Sequence, residues 1–238
     1  MKKSILQLLI LLMFAAGVYL LVSRVNWMKL FRIEKMTEAL EKKLGDIVWS
    51  DMEEQSIEEG KDFDRVSSLV AALCKANGID SKKIKIHIIA DAEVNAFALP
   101  DRHMVVHTGL VNSVKTNDEL SGVLAHEIAH MELSHVMKKL LKQMGYTLLI
   151  SITTGEAGGD AIKELLGMLS STAYDCKLEK DADVKAVEYL KKTGISPNGF
   201  ADFLYRLGEK DGSLGSLSWI STHPDSKERA RYIRGEVN

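Results

Sequence analysis

Residues 120–130 read Leu-Ser-Gly-Val-Leu-Ala-His-Glu-Ile-Ala-His. Leu120, Val123 and Leu124 recur at helical spacing, so the stretch reads as a helix with one apolar face. His126 and His130 are four residues apart on that helix. This spacing sets both imidazoles on one side, where they can reach a single metal ion. Glu127 sits beside them as a base for a water molecule. The pair leaves a catalytic zinc site incomplete, because such sites take three protein ligands and keep a further position for water. His135 follows His130 by five residues, about 140° around a continuous helix. It fits a supporting or structural place better than the same metal. A glutamate from another helix would complete a two-histidine, one-glutamate set. Glu179 is one of several candidates, in a helical stretch that runs to Leu190. Asp183 shares its face and could accept the free N–H of a ligand histidine.

Composition narrows the alternatives. The chain has 238 residues, 46% hydrophobic and 27% charged, which excludes a disordered chain and allows an ordinary core. A formal net charge of -2 argues against a nucleic-acid partner. The two cysteines, Cys74 and Cys176, cannot build a disulfide scaffold or a cysteine-rich zinc site. They allow one Cys74–Cys176 disulfide at most.

Residues 5–22 carry no charge. At 1.5 Å per residue they span about 27 Å, close to the bilayer core. Lys2 and Lys3 precede the run, and Ala15-Ala16-Gly17 resembles a cleavage site, yet Val18 to Val22 continue the apolar stretch past it. An uncleaved anchor over residues 1–24 is favoured, and the alternative is a periplasmic protein freed by signal cleavage. The signal-like start puts the remaining chain on the extracytoplasmic side. Leu30, Ile33, Leu40, Leu44 and Ile47 make an amphipathic helix in a linker, residues 25–60. The acidic cluster from Asp51 to Asp64 reads as a solvated face. Residues 61–238 form the main domain. Val66, Leu69, Val70 and Leu73 mark a helix stopped near Gly78. Lys83–Ile88 and His103–Thr108 read as strands. The rest, from Asn117 onward, reads mostly helical. The fold class is α+β, predominantly helical with a small β unit, plus one N-terminal transmembrane helix.

Four blocks in order extend the match beyond the His-Glu-x-x-His motif: Asn95-Ala96-Phe97-Ala98-Leu99-Pro100 with the strand to Thr108-Gly109-Leu110, His126–His130 followed by His135, Glu179–Asp183, and Ser221-Thr222-His223-Pro224 followed by Arg229. With them the chain resembles the family forty-eight zinc metallopeptidases, the HtpX, BepA-like and Oma-like group, over about residues 66–233. The resemblance implies a zincin-type domain holding one Zn2+ per chain. His126, His130 and Glu179 would be its ligands, Glu127 the general base and Asp183 a support for a ligand. The strand around His103–Thr108 would be the sheet edge that receives an extended peptide. His223 would lie near the metal, either as a gate on its fourth position or as a hydrogen-bond donor to the tetrahedral intermediate. Arg229 is the other candidate donor. The implied activity is endopeptidase cleavage of misfolded or unassembled envelope proteins. The alternative is a chaperone-like binding factor with repressed proteolysis. Two departures stand out. Asp101-Arg102 occupies the place where relatives often carry Gly-Gly, which predicts a wider hairpin. Cys176 occupies the place of an arginine, so a stabilising contact is lost or moved.

Overall fold

The structure is a computed structural model that describes residues 33–171, 173–210 and 218–235. The chain divides into one unit of residues 1–40 and another of residues 41–238. Only the opening of helix α1 (Ile33–Met52) is described in the first unit. The apolar run 5–22 lies outside the described residues, among which no helix is long and apolar enough to cross a membrane.

Within the second unit, α1 buries Leu44 and Val48. Helix α2 (Lys61–Asn77) buries Val66, Val70, Leu73 and Cys74 along one stripe. It starts with Asp62 and Asp64, which suit the positive end of a helix, and stops at Gly78, whose φ of 69° is the left-handed cap that glycine adopts freely.

Four short strands follow the order β1 (Ser56–Ile57), β2 (Lys85–Ile89), β4 (His103–His107), β3 (Ala96–Ala98). β2 and β4 are parallel, with Lys85 opposite His103 and Ile89 opposite His107. β1 is antiparallel to β2, and β3 to β4. This order corrects the expectation that the strand around His103–Thr108 is the edge. β4 is paired on both sides and wholly buried; the edges among the described strands are β1 and β3. Three residues, two of them alanine, give β3 too little alternation to show as a strand in the sequence.

The β3–β4 hairpin turns through Pro100–Arg102, where Asp101 (φ 57°) and Arg102 (φ 59°) both sit in the left-handed region. Glycine adopts that region freely, whereas a side chain there costs about 1 kcal/mol. Arg102 pairs with Glu132 across a partly exposed surface, an ion pair of small value. Arg102→Gly is therefore expected to stabilise the domain by about 0.5–1 kcal/mol. A urea midpoint equal to or below that of the parent would contradict this.

Helix α3 (Thr108–Ser113) leads to the central helix α4 (Asn117–Glu132). The Thr116 hydroxyl accepts the Glu119 N–H at 3.2 Å, and the Glu119 carboxylate accepts the Lys115 N–H at 2.6 Å, which together define the helix start. Every residue from Glu119 to Met131 is buried, so α4 is enclosed and not merely packed on one face. A Cβ at Gly122 would overlap Phe200, so glycine lets helix α9 (Pro197–Lys210) lie close. Helix α8 (Cys176–Thr193) covers another side of α4, with α2 and β3 completing the wrap.

α4 breaks at Leu133 and Ser134, the latter at φ 54°, and α5 (His135–Gln143) starts anew. Helices α6 (Gly145–Thr154) and α7 (Gly159–Ser171) follow, and α7 packs on β3. Two short helices, α10 (Ser218–Thr222) and α11 (Ser226–Ile233), come last. Cys74 is buried and Cys176 exposed, and both thiols are free. The Cys176 sulfur lies 3.8 Å from Asp225 Oδ2.

One buried cluster away from α4 sets an acid limit on stability. Trp49 stacks on His87, with ring centroids 3.4 Å apart. His87 Nε2 lies 2.9 Å from His103 Nδ1, and Lys85 Nζ lies 3.0 Å from His103 Nε2. Burial, then the neighbouring positive groups, pushes His87 down to about 3 and His103 down to about 4. Both are neutral in the folded chain but protonate near 6.5 once unfolded. Below pH 6.5 the unfolded state binds more protons, so stability falls with pH, by up to about 1.4 kcal/mol per unit for each histidine. The gap between denaturation midpoints at pH 7.5 and pH 5 is expected to narrow in a His87→Asn, His103→Asn variant. An unchanged pH slope would contradict the assignment.

Candidate metal centre

Three helical segments bring their polar residues to one buried point. α4 supplies His126, Glu127 and His130; α8 supplies Glu179 and Asp183; the turn after α10 supplies His223. His126, Glu127, His130 and His223 are each 0% exposed. His126 Nε2 lies 3.0 Å from His130 Nε2 and 3.5 Å from Glu179 Oε2. Glu179 Oε1 lies 3.3 Å from His130 Nε2 and 2.9 Å from His223 Nδ1. His223 Nδ1 lies 3.3 Å from His126 Nε2. One donor atom from each of these four residues falls within 4.8 Å of all the others.

This set fits a divalent metal ion. With the His126 Nδ1–H turned to Asp183 and the His130 Nδ1–H to His135, the two Nε2 lone pairs that face each other at 3.0 Å are free for one cation. Tetrahedral ligands at about 2.1 Å from an ion are separated by about 3.4 Å, close to the distances here. Imidazole and carboxylate are the donor types that zinc-like ions take.

The surroundings hold the donors in orientation. His126 Nδ1 lies 3.0 Å from Asp183 Oδ1, so its N–H donates to that carboxylate and Nε2 is left free to face the cluster. The Arg229 guanidinium grips Asp183 at 2.8 and 2.7 Å and reaches Glu179 Oε2 at 2.6 Å. Burial would raise both carboxyls, yet Glu179 is held well below its usual range by His223 and then Arg229, and Asp183 below its own by Arg229. The position of Arg229 also corrects one candidate role. With its nitrogens committed to two carboxylates, Arg229 is a positioning residue and not a donor facing a substrate.

His135 is brought back to the centre by the break at Ser134. Its Nδ1 lies 3.1 Å from His130 Nδ1 and so can take the proton that fixes the tautomer of His130. The estimate of about 140° around a continuous helix does not apply, because the helix is not continuous.

Glu127 stands apart from the other acids. Neither of its oxygens has a well-formed hydrogen bond, although the Ala98 main chain is near and His223 Nε2 lies 3.5 Å from Oε1. Burial pushes its carboxyl up to about 8.

Two aromatic residues escaped the sequence reading. Tyr174 stacks on His130 with centroids 4.1 Å apart, and its N–H donates to the Thr222 carbonyl at 3.1 Å. Trp219 stacks on His223 at 4.0 Å, and its main-chain N–H donates to the Val94 carbonyl at 3.3 Å. Neither lies in a periodic pattern that could have marked it.

A buried His-Glu-x-x-His helix joined by a glutamate from a second helix defines a metallopeptidase centre of the zincin class. Comparison with known proteins agrees. Residues 61–237 match Peptidase family M48. The chain is 28% identical over 171 residues to the mitochondrial metalloendopeptidase OMA1 of Schizosaccharomyces pombe, covering 71% of this chain and 51% of that protein. It is 29% identical over 182 residues to the metalloprotease YcaL of Escherichia coli, covering 73% of this chain and 69% of YcaL. It is 24% identical over 168 residues to the beta-barrel assembly-enhancing protease of Yersinia pestis, covering 64% of this chain and 34% of that relative. The chain thus spans about half the length of the OMA1 relative. The chain belongs to peptidase family M48 and is a metalloprotease.

Proposed function

We propose that this protein is a membrane-anchored, zinc-dependent endopeptidase that cleaves misfolded or unassembled envelope proteins. The convergence of His126, His130 and Glu179 beside an unpartnered, buried Glu127 carries the reading. His126, His130 and Glu179 would hold one zinc ion per chain. When bound, zinc supplies Lewis acidity to the scissile carbonyl and to the attacking water. Glu127 takes the water's proton on a carboxylate oxygen and passes it to the leaving nitrogen. Asp183 and His135 fix the tautomers of His126 and His130, and Arg229 holds the carboxylates of Glu179 and Asp183 in place. An extended substrate adds to the edge β3, whose Ala98 main chain lies beside Glu127.

Residues 1–24 form the anchor, through the run 5–22, and residues 25–60 the linker. The protease domain, residues 61–238, then works on the extracytoplasmic side. Polypeptides are the substrates, and nucleic acid is not a partner. The names of the relatives, a beta-barrel assembly-enhancing protease among them, support a quality-control role.

A second reading, a binding factor with repressed proteolysis, draws on one observation: the whole centre is buried, with His223 inside the donor cluster. Both readings require a segment to move before a peptide can enter. Casein cleavage by the full chain in detergent, with and without a zinc chelator, separates them. The endopeptidase reading expects cleavage that the chelator stops and added zinc restores. Casein left intact under all conditions would favour the binding factor.

A further inference from the structure

A second group of donors lies at the far end of the sheet from the β3–β4 turn. Asp91 and Glu93 sit in the loop between β2 and β3, and His107 ends β4. One donor atom from each lies within 4.8 Å of the other two. We propose that Asp91, Glu93 and His107 form a second divalent-cation site, for an ion of the zinc type, that ties the β2–β3 loop to the end of β4.

The histidine is what distinguishes this group from a chance pair of surface acids. His107 is 6% exposed, and its Nδ1 is buried without a hydrogen-bond partner. That nitrogen faces Glu93 Oε2 at 3.6 Å, too far for a good hydrogen bond. The same distance suits two ligands of one tetrahedral ion, which lie about 3.4 Å apart. An imidazole lone pair flanked by two carboxylates selects zinc-like ions over calcium or magnesium, which take oxygen donors.

The backbone around the group is already set. The Asp91 carbonyl accepts the Gly109 N–H at 2.7 Å and the Thr108 hydroxyl at 3.0 Å. The His107 N–H donates to the Asn95 carbonyl at 3.0 Å, and the Glu93 N–H to Asp91 Oδ1 at 2.8 Å. The loop continues into Val94, whose carbonyl accepts the Trp219 main-chain N–H, and Trp219 stacks on His223. An ion here would therefore stiffen the mount of a residue at the catalytic centre.

Zinc titration of the chelator-stripped full chain, followed by calorimetry, tests the proposal. The parent is expected to take two equivalents, each tighter than about 10 μM. An Asp91→Asn, Glu93→Gln variant should lose one equivalent and keep the other. Both residues are at least partly exposed, so the exchange to isosteric amides should leave the fold intact. Glu179→Ala should lose the other equivalent and keep this one, so failure at the catalytic centre is read separately. Zinc should also raise the melting temperature of Glu179→Ala through the remaining site. A parent with one tight equivalent, or an amide variant that still takes two, would overturn the proposal.

Discussion

Glu127→Gln is expected to retain the parental zinc content and to cleave casein about 10²–10⁴-fold more slowly. The expectation follows from what Glu127 touches. It is fully buried, and neither oxygen has a well-formed hydrogen bond, so its carboxylate is not needed to hold the fold. A buried carboxylate with no partner costs stability and persists where chemistry requires it. Glutamine matches its shape and removes only the ability to take a proton. The donors His126, His130 and Glu179 are untouched, so metal retention and cleavage should separate. Cleavage at the parental rate would show that the proton goes elsewhere.

His223→Ala is expected to raise basal casein cleavage, by about 10-fold if the imidazole holds the fourth ligand position most of the time. Its Nδ1 stands among the donors, 2.9 Å from Glu179 Oε1 and 3.3 Å from His126 Nε2. Its Nε2 is 3.5 Å from the Glu127 carboxylate. The ring thus fills the space between base and ligands that an attacking water must enter. The stacking of Trp219 on one side holds it there. The rival role, donation to the tetrahedral intermediate, predicts the opposite sign, a fall of about 10²–10³-fold. A His223→Ala protein with normal zinc and slower cleavage would refute the gate.

Local chemistry made much of this site legible in advance. Spacing alone paired His126 with His130; Glu179 was one acid among several until the resemblance singled it out, with Asp183 one turn on, and the two lie in the cluster and behind His126. The helix over Val66–Leu73 and its stop at Gly78 were equally plain, because periodicity and glycine act within a few residues. What stayed hidden depends on distant approach. β3 has three residues and no alternation, so only its pairing with β4 makes it a strand. The break at Ser134 places a non-glycine residue at positive φ, which nothing in its neighbours announces. That break turns His135 from a misfit into a partner of His130. Tyr174 and Trp219 act by stacking on histidines far along the chain, and no local pattern encodes such contacts.

The central claim is that Glu179, from a helix distant in sequence, completes the metal centre with His126 and His130. Zinc analysis of the purified full chain as the parent, Glu179→Ala and Asp181→Ala tests it most directly. Asp181 is exposed on the same helix and serves as the control. The account predicts that Glu179→Ala loses one zinc per chain relative to the parent, together with casein cleavage, while Asp181→Ala keeps both. Equal zinc in all three proteins would contradict it.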